Sequence, residues 1–90
     1  MNMNKRERDR QEKFYNEVLK HVADLEEKDV KDEEVQRLMK TPDTKMILSR
    51  SYDNWTQAPL KEGWSRQKIM RYGAKVAARN IVMSKLPMYD

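Results

Sequence analysis

Residues 63–83 read GWSRQKIMRYGAKVAARNIVM, with five basic side chains, no acid, and enough apolar residues to bury one side. The spacing is helical. Ile69, Met70, Gly73, Val76, Ala77, Ile81 and Met83 share one side of a wheel that turns about 100° per residue. Lys68, Arg71, Lys75 and Arg79 fall within about an 80° arc on the other side. The pattern predicts a helix over 64–85, opened by Ser65 as N-cap and ended by Pro87. Its basic ridge is about 16 Å long at 1.5 Å per residue.

Within this helix Gly73, Ala74, Ala77 and Ala78 are small. A mid-helix glycine costs about 1 kcal/mol relative to alanine. The expected reason to keep it is close approach of a neighbouring helix on the Gly73 side. Asn80 falls within the apolar arc, which predicts a buried polar group with a partner or a face turned to another subunit.

Upstream, the pattern stays helical. Phe14, Tyr15, Val18, Leu19, Val22 and Leu25 lie within about a 140° arc, which predicts an amphipathic helix over 6–27. The run EKDVKD should end or bend it. Asp32 is placed to cap a short helix over 32–40, with Glu33 and Glu34 where the helix dipole favours anions. Thr41-Pro42 stops that helix and starts the next, Thr41 as cap and Pro42 in the first turn. The apolar run Met46-Ile47-Leu48 admits a strand over 45–50, but the cap signals favour a helix. Pro59 and Gly63 bracket a loop over 56–63. Together these signals predict one all-α domain over 1–90, a small bundle of about four helices, with residues 1–12 the stretch most prone to disorder.

Bulk properties bound the function. Hydrophobic and charged residues each make up 38% of the chain, and the mean hydropathy is −1.08. So small and polar a chain gains stability by assembling or binding, which predicts a homo-oligomer or a partner-bound unit. There is no cysteine, hence no disulfide or thiolate metal site. No apolar run reaches the length of a membrane span, and the charged N-terminal residues lack a secretory core. The expectation is a cytoplasmic protein with no membrane partner.

Enzymatic signals are weak. His21 is the only histidine, with Glu17 and Asp24 on its side of the first helix. These read as surface helix pairs rather than an acid–base couple or one arm of a metal site. Two glycines allow no phosphate-cradling loop, and Asp29, Asp32, Glu33 and Glu34 lack calcium-loop spacing. No catalytic residue, metal or cofactor is expected.

Charge is the informative feature. Residues 1–40 carry ten basic and eleven acidic side chains, and residues 41–60 carry two of each. Residues 61–90 carry seven basic and two acidic, so the whole net charge of +4 originates there. A ridge of four cations suits successive phosphates of a nucleic acid, DNA ahead of RNA, or an acidic protein surface. The plain alternative is a solvated helix face. The pattern Gly63-Trp64-Ser65, then Ile69 and Arg71-Tyr72, resembles the turn and recognition helix of a helix-turn-helix over 63–79. That resemblance implies groove-facing Ser65, Arg66, Gln67, Lys68 and Arg71, although Pro59 falls where the preceding helix should run. Lys61 would add a backbone contact, as would Lys75 and Arg79 along the ridge. Tyr52, Trp55 and Trp64 are candidates for stacking on bases or anchoring a partner, or else the largest pieces of the core. The leading expectation is a small nucleic-acid-binding or regulatory protein. A protein–protein adaptor or inhibitor is the alternative, and a helical assembly subunit a third.

Overall fold

The computed structural model describes residues 4–85, and each helix begins where a side-chain oxygen takes up a free backbone N–H. Asn4 Oδ1 accepts from Glu7 N at 2.8 Å, opening α1 (Lys5–Leu25). Asp32 Oδ1 accepts from Glu34 N at 2.8 Å, opening α2 (Glu33–Met39). Thr41 Oγ1 accepts from Thr44 N at 3.2 Å before α3 (Pro42–Gln57), and Ser65 Oγ from Lys68 N at 3.1 Å before α4 (Arg66–Ser84). Each bond satisfies one of the donors that a helix start leaves open. No strand occurs among the described residues, and 45–50 lies inside α3. The charged residues 5–12, expected to be disorder-prone, are the first turns of α1. Pro87, expected to end the last helix, lies outside the described residues.

α1 ends without a glycine. Glu27 takes a left-handed conformation, φ 56°, while Glu27 N bonds Asp24 O at 3.1 Å and Lys28 N bonds Ala23 O at 2.9 Å. This is the paired bonding of a Schellman stop, with a glutamate where glycine is usual. The chain then reverses into α2. Ion pairs Lys28–Glu34 and Glu26–Lys85 tie the end of α1 to α2 and to the end of α4.

The core is built around Phe14, which is fully buried. Its ring stands 5.9 Å from Tyr52, edge-on, and 6.2 Å from Trp55, stacked. Val18 and Val22 continue the buried stripe of α1, Val35 closes it from α2, and Leu48 from α3. α4 packs against both α1 and α3, which touch each other far less. Its buried side is Ile69, Ala74, Ala77, Ala78 and Ile81.

That face differs from the expected one. Val76 and Met83 are 42% and 64% exposed, and Asn80 is exposed rather than buried. The buried arc is turned by about 60° toward the alanines. Small residues bury little area but let neighbouring backbones come near, so a reading weighted by apolar size centres the face wrongly. Gly73 shows the closeness directly: a Cβ there would lie 3.3 Å from Trp55 Cβ and 3.9 Å from Phe14 Cε1. Close packing within the chain accounts for this glycine.

Candidate nucleic-acid interface

α4 carries its cations away from the core. Lys68, Arg71, Lys75 and Arg79 are all exposed, and none enters an ion pair among the described residues. The contrast with α1 and α2 is one of composition: there Glu7–Arg10, Glu17–His21 and Glu33–Arg37 pair across single turns. No carboxylate exists on α4 to do the same. The ridge therefore presents an uncompensated line of charge, which raises local anion concentration and weakens with salt.

At the N-terminal end of the ridge stands Trp64, half-buried, its ring 5.7 Å from that of Tyr72 and nearly perpendicular to it. Lys68 Nζ lies 4.5 Å from the Trp64 ring centroid and Lys61 Nζ 5.4 Å, both within cation–π range. Gly63, at φ 79°, makes the turn that brings Trp64 back onto α4. Arg66 is exposed, and its Nη1 donates to the Ala58 carbonyl at 3.2 Å, pinning the link between α3 and α4. Gln67 is exposed beside it. The link spans residues 58–65, longer than the three- or four-residue turn of a helix-turn-helix pair.

Two of the expected stacking rings are not on the surface. Tyr52 is 5% and Trp55 8% exposed, both held in the aromatic cluster around Phe14. Their size makes them core: both rings pack on Phe14, the one phenylalanine of the chain. The indole N–H of Trp55 is buried with no acceptor among the described residues. Tyr72, absent from the expected set, is the more exposed ring at 58%. Trp64 precedes the helix and reaches Tyr72 through the turn at Gly63, so no helical spacing announced the pair.

Packing also adds cations that linear reading does not group. Arg10 and Lys13 of α1 line a shallow cleft with Trp55 of α3 and with Arg66, Gln67 and Met70 of α4. Arg10 is partly engaged: it donates to Tyr52 Oη at 3.3 Å and pairs with Glu7, which holds its guanidinium pKa above the ordinary value. Lys13 makes no ion pair among the described residues.

Among the described residues no group of three acidic, histidine or cysteine side chains is arranged to hold a metal. His21 Nε2 lies 3.7 Å from Glu17 Oε1 across one turn of α1, both side chains partly buried. No helix of the described residues is long and apolar enough to cross a membrane. Comparison with protein-family models, curated proteins and solved structures gives no match.

Proposed function

We propose that this protein binds nucleic acid through α4, with Lys68, Arg71, Lys75 and Arg79 meeting successive phosphates. Lys61, Arg66, Gln67 and, from α1, Lys13 extend the contact at its N-terminal end. The observation that carries the reading is the line of four exposed cations on one helix face, none paired among the described residues. A merely solvated face mixes signs, as α1 and α2 do in this chain. DNA is the first ligand to test and RNA the second. Cytoplasmic residence goes with the reading, because nucleic acid is an intracellular ligand. Regulation by occupancy of a nucleic-acid site, as a homo-oligomer or a partner-bound unit, is the corresponding role.

The test is a titration with labelled duplex DNA, single-stranded DNA and RNA at two salt concentrations. Binding is expected to weaken steeply with salt, because each neutralised phosphate releases counterions. Changing all four ridge residues to glutamate should abolish it. Equal binding by that variant and the parent protein would falsify the proposal.

The alternative of an adaptor docked on an acidic protein has one feature in its favour, the half-exposed Trp64–Tyr72 pair beside the cations. Under that reading nucleic-acid affinity is negligible, and the four-glutamate variant loses a protein partner instead.

A further inference from the structure

Beside the ridge, between the end of α3 and the start of α4, lies a groove of about 260 Å³. Its walls include Trp55, Ala58, Pro59, Trp64, Tyr72 and Val76. Tyr72 and Val76 are 58% and 42% exposed, and neighbouring Leu60 is 63% exposed. These apolar surfaces are not spent on the core, which α4 builds from its alanine side. The groove therefore lies where the α3–α4 seam, lined there by Trp55, Ile69 and Gly73, opens toward the side of α4 next to the cations.

We infer that this groove takes one unpaired base of a strand whose backbone lies along α4, so that the preferred ligand is single-stranded nucleic acid. The inference rests on the proposed nucleic-acid reading and names its substrate class. Three observations carry it. First, the groove is lined by aromatic rings, and every base has a flat face that stacks on such rings without regard to sequence. Secondly, the charge around it suits an aromatic ring that carries a phosphate. Lys61 is the one charged residue of the lining, no carboxylate lines it, and Lys68 stands over the Trp64 ring. Thirdly, groove and ridge are continuous. Tyr72 stands four residues after Lys68 and three before Lys75, and Val76 three before Arg79, so these two wall residues of α4 lie beside ridge cations on the helix surface.

Size argues for one ring rather than a helical peptide. The groove is smaller than the sites that enclose drug-sized ligands, which begin at about 300 Å³. A duplex keeps its bases stacked and would have to open to use the groove, at a cost that a single strand does not carry. The ridge alone does not distinguish the two forms; the groove does.

The experiment compares a labelled oligothymidylate with a duplex of the same length, by anisotropy and by tryptophan emission. The parent protein is expected to bind the single strand more tightly, with quenching of the indole fluorescence. Tyr72→Ala, at an exposed position, should weaken single-strand binding about tenfold and leave duplex binding unchanged. Val76→Arg, which blocks the groove while adding a cation, should likewise weaken single-strand binding, although the added charge favours the duplex. Thermal melts confirm that both variants stay folded. If the duplex binds as well as the single strand, or Tyr72→Ala and Val76→Arg leave single-strand affinity intact, the base-binding groove is overturned while the ridge reading stands. If neither nucleic acid binds, both fall. A glutamate–tyrosine copolymer that binds with the same dependence on Tyr72, where oligothymidylate does not, would transfer the groove to an acidic protein partner and overturn the inference.

Discussion

Tyr52 donates its phenolic hydrogen to Glu7 Oε1 at 3.0 Å, joining α3 to the first turns of α1 across 45 residues of sequence. The same hydroxyl accepts from Arg10, which also pairs with Glu7, so three side chains close one network at the edge of the aromatic core. The hydrogen bond from Tyr52, followed by that from Arg10, holds the Glu7 carboxyl below its ordinary pKa. A lowered carboxylate pKa contributes stability that is present above the unfolded value and is lost as pH falls through the folded one. Melting temperature should therefore drop as the pH falls below about 4, and Glu7→Gln should flatten that limb. Tyr52 shifts the other way, because burial disfavours its phenolate. Its contribution is present below the ordinary tyrosine range and lost as pH rises through the raised pKa. Tyr52→Phe should flatten both limbs, read by thermal melts across pH.

Glu27 should be improvable. It occupies a left-handed position at the end of α1, where a side chain with a Cβ is disfavoured by about 1 kcal/mol. Glu27→Gly should raise stability by about 0.5–1 kcal/mol, less whatever the unfolded glycine gains in freedom. A lower midpoint in urea for this variant would show that the glutamate side chain contributes something the turn geometry does not reveal.

Gly73 should resist even its smallest replacement. Alanine improves helix propensity by about 1 kcal/mol, but its Cβ would press on Trp55 Cβ, an atom fixed to the α3 backbone rather than the end of a flexible chain. Gly73→Ala is expected to lower the melting temperature despite the propensity gain, and Gly73→Leu to destabilise by about 1–3 kcal/mol through overpacking. Stabilisation by Gly73→Ala would mean that α3 and α4 separate more easily than their packing implies.

Much of this was legible beforehand, for a physical reason. Asp32, Thr41 and Ser65 mark helix starts because capping is local: the oxygen and the N–H it serves lie two or three residues apart. The basic arc of α4 is equally local, a matter of 3.6-residue periodicity. What depends on neighbours was not legible. Val76 and Met83 are larger than Ala74 and Ala78, yet the alanines are buried, because close approach matters more here than apolar size. For Tyr52, Trp55 and Trp64 the sequence left stacking and core both open, and the packing of Phe14 opposite Tyr52 and Trp55 is what makes those two core. Lys13 meets the α4 cations only through the packing of α1 on α4. The left-handed Glu27 carries no glycine to announce it.

The salt dependence of binding should count contacts. Four neutralised phosphates give a slope of log K against log salt of about −2.8 for a single strand and about −3.6 for a duplex. Lys75→Ala should reduce the slope by a little under one and weaken all sequences alike, because a phosphate contact reads no base.

Ser65 offers a trade between stability and binding. It caps α4, whose first turn carries no acid, unlike those of α1, α2 and α3. Ser65→Asp keeps the cap and places a negative charge where the helix dipole favours it, for a gain of about 0.3–1 kcal/mol. The same charge stands at the head of the cationic ridge, so nucleic-acid affinity should fall as the melting temperature rises.

α4 is gripped from behind by two helices that scarcely meet without it. A ligand arriving on its outer side thus finds its four positive groups already spaced by a stiff rod, with only side-chain ends left to settle. Little conformational freedom remains to be surrendered on docking, so the speed of encounter should follow long-range attraction and fall with ionic strength.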